Sequence, residues 1–569
     1  MLKRELENRL SFILAWGALA VTIVITDRVN TDPANIGKML LLVVLAFSVL
    51  PIIFVHMRDL LRDSRVMLFA SAGLIMIMTV SIFTSANPIE RGLYGAFGRN
   101  TGLLTYTSLI IIFLTSTLIS QYKNFQRVIN ALLIAGIVNI VLVLLATSGN
   151  DPLTWENPYG AALGTFGNPN FISAFMGIIF SVLIVHVLDH NVSTRFKLLF
   201  FGLLPSVALT IYLSRSLQGI MVAAFGSVLA FYFFIRSKEK YARATLLYLG
   251  GSVILGLLVL AGILNKGPLA SLLYSYTVKL RSEYWKAGIN MGMGNPLTGV
   301  GIDSYGIYYR SFRELSATVS PGVGVTTDSA HNVYIDIFSG VGFPGLVTYL
   351  IINGYVLFIA LKHLRETKEF DGRFLTLFLG WAAYQLQSLI SINQLGLAMW
   401  GWLLGGLTIA YTRAYSSGAV NGRENESKSR VTKKRSKEQD NQLLDASSLL
   451  KILCGALIGL LIALPPFVSD VKMRNFFSNK QGTAESVIAL AESWPVDNIR
   501  LNKIILSLAR NNQGDQAREL AAFAALKFPR DYVSWWTLDQ LTREDTPEKE
   551  FLRNELHKID PFNPAHFKK

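Results

Sequence analysis

The stretch DSAHNVYIDIFSGVGFPGLVTYL, from Asp328 to Leu350, decides the fold class, because a polar start leads directly into a long apolar segment. The apolar run continues past Leu350 and, as a helix, is long enough to cross a lipid bilayer. Polar side chains are costly at membrane depth. The histidine at the threshold of this helix, His331, is therefore a candidate for a functional residue.

The rest of the chain repeats this apolar pattern. Of its 569 residues, 51% are hydrophobic and 16% are charged, and the mean hydropathy is +0.40. In soluble proteins, about a quarter of the residues are charged. Apolar blocks of about 18–22 residues, separated by short charged stretches, predict an all-α polytopic membrane protein with about 12–13 transmembrane helices. The predicted spans are 11–27, 38–56, 66–86, 101–120, 128–148, 171–188, 197–213, 218–235, 244–264, 332–361, 374–392, 396–412 and 447–468.

The positive charges lie mainly at one set of span ends. That set holds about 26 Lys and Arg residues, whereas the other set has five in its short connections and six in one long loop. The positive-inside rule therefore predicts a cytoplasmic N-terminus. Much of the net charge of +15 is explained by topology, so no nucleic-acid partner is predicted. The single cysteine, Cys454, excludes both a disulfide framework and a cysteine metal site.

The spans and charges together predict four parts of the chain. A transmembrane domain covers 1–412 and includes a long exterior loop at 265–331. A basic linker at 413–446, rich in Lys, Ser, Glu and Asn, is predicted to be cytoplasmic and disordered. An additional transmembrane helix at 447–468 then places the last part, 469–569, on the exterior side.

This last part contains a repeat. WPVDNIRLNKI begins at Trp494 and FPRDYVSWWTL begins at Phe528, an offset of 34 residues that aligns Asp497 with Asp531. A third partial copy, IDPFNP, covers 559–564. A period of 34 with proline between the units resembles tetratricopeptide repeats, which pair helices into a surface for a protein partner. The alternative is a small helical cap without a ligand.

The long exterior loop is rich in aromatic, glycine and cationic residues. Arg281, Glu283, Tyr284 and Trp285 fall within five positions. Aromatic rings stack on sugars, and guanidinium groups bind phosphate oxygens through two parallel donors. The turn NPLTGVG at 295–301 is predicted to bend sharply and to offer backbone N–H groups.

Further polar residues are predicted on the same face. Arg215 lies in the hairpin LSRS, and its alternative role is an anchor to lipid phosphate. Arg91 and Arg99 follow the third span in NPIERGLYGAFGRNTG. Asn168 and Asn170 stand before the sixth span, where the alternative role is a helix cap.

The order of these motifs resembles the O-antigen ligase and polymerase superfamily, whose members have a type C glycosyltransferase architecture. The motifs are GTFGNPN before a span, LSRS at a hairpin, RSEYWK with GNPLTGVG in the long loop, and SAHN opening a helix with GVGFPG. The resemblance covers roughly 10–412, and its most specific part is 281–346. GVGFPG is not a dinucleotide fingerprint, because it follows no strand, and its small residues are expected to permit close helix packing.

The resemblance implies a transferase on the exterior face of the bacterial cytoplasmic membrane. Its donor would be a glycan on undecaprenyl diphosphate, and its acceptor a glycan, a lipid or a protein. The functional arginines of the family match Arg215 and Arg281, and its functional histidine matches His331. The residues expected to bind substrate are Arg99, Asn168, Asn170, Glu283, Tyr284, Trp285 and Asn332.

The chemistry of these side chains agrees with those roles. Displacement of a diphosphate develops negative charge, which two guanidinium groups stabilise without a metal. An attacking sugar hydroxyl needs a proton acceptor, and imidazole is suited to that task near neutral pH. His331 is expected to act as general base or to position the hydroxyl; the alternative is a helix-cap histidine bonded to the backbone. Asp336 would orient the imidazole only if the helix begins late.

The sequence predicts no metal and no other cofactor. The exterior segments lack paired acidic residues at metal-ligand spacing; Asp328 and Glu283 are able to bind a cation, but the proposed chemistry does not require one. Glycan transfer is therefore expected to continue in the presence of a chelator. Loss of activity in chelator that is restored by Mg²⁺ would contradict this expectation.

Two alternatives to a glycan ligase stay open at this point. A polymerase would use the same site chemistry, with a second carrier-linked repeat unit as the acceptor. A lipid or solute transporter is compatible with thirteen spans, but transporters place charged residues near the bilayer midplane, where these spans have almost none. The exterior repeat domain favours ligase-type transfer to a protein or cell-envelope acceptor.

Overall fold

The protein is all-α, as a computed structural model covering residues 4–418, 446–479, 489–491 and 493–564 shows, and no β-strand occurs in these ranges. The prediction of an all-α polytopic membrane protein is confirmed. The helices are α1 (Arg4–Ile23), α2 (Ile36–Val55), α3 (Met57–Asp63), α4 (Arg65–Thr84), α5 (Ile89–Tyr94), α6 (Leu103–Ser116), α7 (Tyr122–Thr147), α8 (Pro169–Leu188), α9 (Thr194–Leu213), α10 (Leu217–Arg236), α11 (Ala242–Ile263), α12 (Ala270–Leu273), α13 (Tyr276–Gly294), α14 (Tyr305–Phe312), α15 (Leu315–Ala317), α16 (Val333–Glu366), α17 (Gly372–Ser388), α18 (Leu395–Ser416), α19 (Ala446–Asn479), α20 (Asn498–Arg510), α21 (Gly514–Lys527), α22 (Tyr532–Leu541) and α23 (Pro547–Ile559). A 3₁₀ turn covers Glu239–Tyr241, and a π turn covers Thr318–Gly322.

A helix lies at each of the thirteen predicted spans. In the described residues, eleven helices are long and apolar enough to cross a membrane. The two exceptions are α6, with 14 residues, and α17, with 17 residues. The last predicted span, 447–468, is only part of α19, which continues to Asn479. Residues 419–445, most of the predicted cytoplasmic linker, lie outside the described part of the chain.

Successive membrane helices run in opposite directions, so their connections gather on two faces. One of them, called the long-loop face here, carries the connections 24–35, 85–102, 148–168, 214–216, 264–332 and 389–394. The opposite face carries 56–64, 117–121, 189–193, 237–241 and 367–371. Hydrogen bonds hold each face together: Asn35 donates to the Gly98 carbonyl at 2.8 Å on the long-loop face, and the Gln121 N–H donates to Glu7, at the start of α1, at 2.6 Å on the opposite face.

The centre of the membrane domain is α18, the one described candidate span that is buried throughout its apolar window. Glycine permits this position, because a Cβ atom at Gly406 would lie 1.9 Å from the Ser116 hydroxyl of α6. α19 packs against α2 in the same way, since a Cβ at Gly455 would lie 2.2 Å from the Phe47 carbonyl oxygen. Small residues thus let these helices approach closely.

The GVGFPG segment interrupts α16. Gly342 has φ +72° and ψ −172°, a conformation that favours glycine, and a Cβ there would lie 2.7 Å from the Pro296 carbonyl oxygen. The close contact expected for these small residues is therefore made with the NPLTGVG turn. The N–H groups of Val300 and Gly301 in that turn donate to the carbonyls of Ser339 and Gly340, so they are occupied within the fold.

The C-terminal part forms a chain of packed helices, in which α20 contacts α21, α21 contacts α22, and α22 contacts α23. Asp497 caps the start of α20, and Asp531, 34 residues later, caps the start of α22. The sequence repeat therefore corresponds to equivalent helix starts. Its assignment to the tetratricopeptide repeats stays a prediction.

Candidate functional site

His331 stands in the last turn before α16. Its φ of +53° is unusual for a residue with a side chain, and its N–H donates to the Ser329 hydroxyl at 2.9 Å. Asn332 caps α16 by accepting from the N–H groups of Tyr334 and Ile335. The helix cap is therefore Asn332, and the imidazole of His331 makes no hydrogen bond within the described residues.

Asp336 fixes the segment that carries His331. Its carboxylate accepts from the Ser329 hydroxyl at 2.7 Å and from the Ala330 N–H at 2.8 Å. Since that hydroxyl also receives the His331 N–H, Asp336 orients the backbone of the segment. The sequence hypothesis that Asp336 orients the imidazole directly is replaced by this indirect arrangement.

Arg99 lies buried beneath the same segment. Its Nε is 3.2 Å from Asp303, its Nη1 donates to the Asp328 carbonyl at 2.6 Å, and its Nη2 lies 3.8 Å from Asp336. Only 7% of the residue is exposed. These contacts engage the charge of Arg99 with carboxylates of the protein, and the substrate-binding role of Arg99 stays a prediction.

Arg281 and Tyr284, both on α13, lie beside His331. The Tyr284 ring stacks on the imidazole with 5.7 Å between ring centroids and 28° between planes. Arg281 is half-buried, and its side chain has no hydrogen bond or ion pair within the described residues. A half-buried guanidinium without a counter-ion is typical of a site for an anionic ligand.

The electrostatic surroundings of His331 favour the neutral imidazole. Burial lowers the pKa of His331 to about 4; the positive charges of Arg281 and Arg99 act in the same direction, and Asp328 opposes them. Burial also lowers the pKa of Arg281, which stays far above neutrality. Near pH 7 the site therefore presents a permanent cation beside a neutral imidazole with a free lone pair.

Arg215 occupies a second part of the long-loop face. It lies at φ +53° in the hairpin between α9 and α10, and its exposed side chain has no hydrogen bond or ion pair within the described residues. It lines a cavity of about 620 Å³, together with Trp155 and Asn157. Leu217 and Ile220 of α10, which are more than half exposed, also line this cavity.

Hydrogen bonds to the turn at 389–394 connect these two parts. Asn332, next to His331, donates to the Leu389 carbonyl at 2.9 Å. Gln218, near Arg215, donates to the adjacent Ile390 carbonyl at 3.3 Å. The structure thus brings Arg281 and Tyr284 to His331, and it places Arg215 in a neighbouring cavity of the same face.

Residues 199–350 match the family model described as O-antigen ligase. These residues form a region that is similar to O-antigen ligases, and it is called the O-antigen ligase domain here. The match contains Arg215, Arg281 and His331, and the resemblance to the superfamily is confirmed over these residues, whereas its extent over 10–412 stays a prediction. It supports a membrane enzyme of lipid-linked glycan ligation or polymerisation in general. No curated protein matches the chain.

Other predicted site residues of the O-antigen ligase domain and its surroundings are engaged within the fold. Glu283 pairs with Lys286 at 3.0 Å and accepts from the Ser316 hydroxyl at 2.7 Å. Trp285 packs against an apolar core. Asn168 caps α8, which is the alternative role that the sequence left open for it. Asn170 accepts from the Ser216 hydroxyl beside Arg215.

The described residues contain no cluster of three or more His, Cys, Asp and Glu side chains able to hold a metal ion. Asp328 and Glu283, the two carboxylates considered for a cation, each face a protein cation: Arg99 lies 3.6 Å from Asp328, and Lys286 lies 3.0 Å from Glu283.

Sequence reasoning missed Asp303. Its φ is +52°, and one carboxylate oxygen accepts from the N–H groups of Ala96 and Thr101 at 2.7 and 3.2 Å. Its other oxygen pairs with Arg99. An aspartate after a glycine-rich turn carries no local signal of such a role, because its partners lie about 200 residues earlier in the chain.

Proposed function

We propose that the O-antigen ligase domain transfers a glycan from undecaprenyl diphosphate to an acceptor on the exterior face of the bacterial cytoplasmic membrane. The observation that carries this proposal is the contrast among the arginines of the long-loop face. Arg99 and Arg313 are buried in ion pairs with aspartates, whereas Arg215 and Arg281 have no protein anion within the described residues. Both guanidinium groups are therefore available to a diphosphate.

The proposed reaction is a displacement at the anomeric carbon of the donor sugar. The acceptor hydroxyl oxygen forms the new bond to that carbon, while the bond from the carbon to the diphosphate oxygen breaks and its electron pair stays on the diphosphate. The hydroxyl proton passes to the neutral imidazole of His331. Arg281 and Arg215 stabilise the negative charge that develops on the leaving diphosphate.

The cavity at Arg215 supports a donor that arrives through the membrane. Its apolar lining at Leu217 and Ile220 suits a polyprenyl chain, and Trp155 offers an aromatic face to a sugar ring. Arg215 lies between these surfaces, where a diphosphate would join lipid and glycan. The excess of Lys and Arg in the connections of the opposite face orients the long-loop face toward the exterior.

The C-terminal domain favours ligation over polymerisation. It adds a helical surface on the same face as His331, which suits the binding of a protein or cell-envelope acceptor. A protein partner of this repeat domain is part of the same proposal.

A transfer assay with purified protein and carrier-linked repeat units tests the proposed function. With an envelope or protein acceptor present, we expect one glycan to be attached to the acceptor, and without an acceptor we expect no ladder of longer carrier-linked glycans. The products are to be separated by gel and identified by mass spectrometry. A ladder without acceptor would contradict ligation and indicate a polymerase, and no transfer under either condition would contradict both activities.

A further inference from the structure

The structure assigns a second task to the C-terminal helical domain, which rests on the proposed function: we infer that Asp497 and Asp560 hold in place the two segments that surround His331. These aspartates are positioning residues, because neither contacts the proposed substrate site directly. The domain shares one apolar core with α13 and α14 of the long loop.

The first contact runs from Asp497 to the connection at 91–101. One carboxylate oxygen accepts from Arg91 and from the Phe97 N–H, both at 3.2 Å. The other oxygen caps α20 by accepting from the Ile499 N–H at 2.8 Å. Arg91 is 3% exposed, so this ion pair is sheltered from solvent. A sheltered pair resists separation, because either partner alone would be a buried charge.

The same connection continues to the histidine segment. Arg99, two residues after Phe97, reaches Asp328 and Asp336, and Asp336 fixes Ser329 next to His331. The Arg99 guanidinium therefore lies on a connection, 91–101, that Asp497 of the C-terminal domain contacts. Its position depends on that contact.

The second contact runs from Asp560 to α14. The fully buried carboxylate accepts from Arg313 at 2.7 Å and from Arg310 at 2.8 Å. On the inner side of α14, the Tyr305 hydroxyl donates to the Tyr284 carbonyl at 2.5 Å. Tyr284 is the residue whose ring stacks on His331. Two separate chains of contact thus lead from the C-terminal domain to the imidazole.

This arrangement predicts that a weakened contact at Asp497 changes the surroundings of His331. The charged groups that face the imidazole are Asp328 from its own segment, Arg281 from α13 and Arg99 from the 91–101 connection. Arg99 lowers the pKa of the imidazole, so displacement of its guanidinium is expected to raise that pKa toward the ordinary value.

The test uses the full-length protein with Asp497→Asn. Asparagine keeps the helix cap but removes the anionic partner of Arg91. The pKa of His331 is to be measured by pH-dependent carbethoxylation, in which a histidine reacts in its neutral but not its protonated form, with peptide mass spectrometry to isolate the signal of His331. We expect the midpoint for His331 to rise by about 1 pH unit, and glycan transfer to fall by about tenfold or more through kcat. Arg91→Gln breaks the same ion pair from the membrane domain and is expected to give the same changes.

Asp539→Asn is the matched control, because Asp539 is also a buried aspartate of the C-terminal domain, but it pairs with Lys549 inside that domain at 3.3 Å. We expect neither change in this variant. Equal midpoints in all three variants and the wild type would overturn the inference, even if wild-type transfer and its loss in His331→Ala support the proposed function. If instead His331→Ala transfers normally, the role of His331 in the proposed function fails, and the midpoints still test whether Asp497 positions His331.

Discussion

Replacement of His331 by alanine is expected to lower glycan transfer by a factor of about 10²–10⁴, the usual contribution of a positioned general base. The imidazole makes no hydrogen bond within the described residues, so its removal should leave the fold intact. The measurement is the initial rate of transfer from carrier-linked donor, together with the thermal unfolding temperature. His190→Ala is the control, because His190 is an exposed histidine on the opposite face.

The pH dependence of glycan transfer by the wild-type protein tests the same residue. A base must be unprotonated to accept a proton, and His331, with a pKa of about 4, is unprotonated at pH 6 as it is at pH 7.5. The acid limb of kcat/KM, which reports the free enzyme, is therefore expected near pH 4. In kcat the limb should lie at higher pH, because a bound diphosphate offsets the positive charge of Arg281. Undiminished transfer by His331→Ala would contradict the proposed role of His331 as the general base.

Replacement of Arg281 by methionine is expected to lower kcat by a factor of about 10²–10³, similar to the loss of one preorganised group that stabilises developing charge. No anion of the protein loses its partner in this variant, because Arg281 has no ion pair within the described residues. Methionine keeps the length of the apolar stem, and Arg281→Lys should recover part of the rate by restoring charge without the two-pronged donor set.

Arg543→Met controls for the loss of one positive charge at an exposed position of the C-terminal domain. Its rate should equal that of the wild type within the error of the assay. A rate for Arg281→Met that matches this control would remove Arg281 from the proposed mechanism.

The sequence predicted the membrane fold well, because hydrophobic blocks and their flanking charges are local signals. The start of α16 at Val333 follows from Asn332, a good capping residue before an apolar run. The break at Gly342 was not predictable in the same way. Its left-handed φ is required by contact with Pro296, and nothing in GVGFPG alone distinguishes a break from a site of helix packing.

The candidate site was predictable in part. Arg281 and Tyr284 were placed near His331 on the strength of motif order, and the structure puts them side by side. Arg99 is predicted from the sequence to bind substrate. The ion pair that it makes with Asp303 was not predictable, because an arginine in an exterior connection gives no sign of a carboxylate about 200 residues later. The contact between Arg91 and Asp497 joins residues more than 400 positions apart, and such pairs leave no trace in a single sequence.

The central claim is that Arg215 and Arg281 act on one diphosphate, although they lie in neighbouring parts of the long-loop face. A double-mutant cycle on the binding of undecaprenyl diphosphate, with Arg215→Met, Arg281→Met and the double variant, tests this claim most directly. We predict that each single variant binds more weakly and that the two losses differ from additivity by about 0.5–3 kcal/mol, as expected for groups that share a ligand. Losses that add within about 0.5 kcal/mol, or unchanged binding in either single variant, would contradict it.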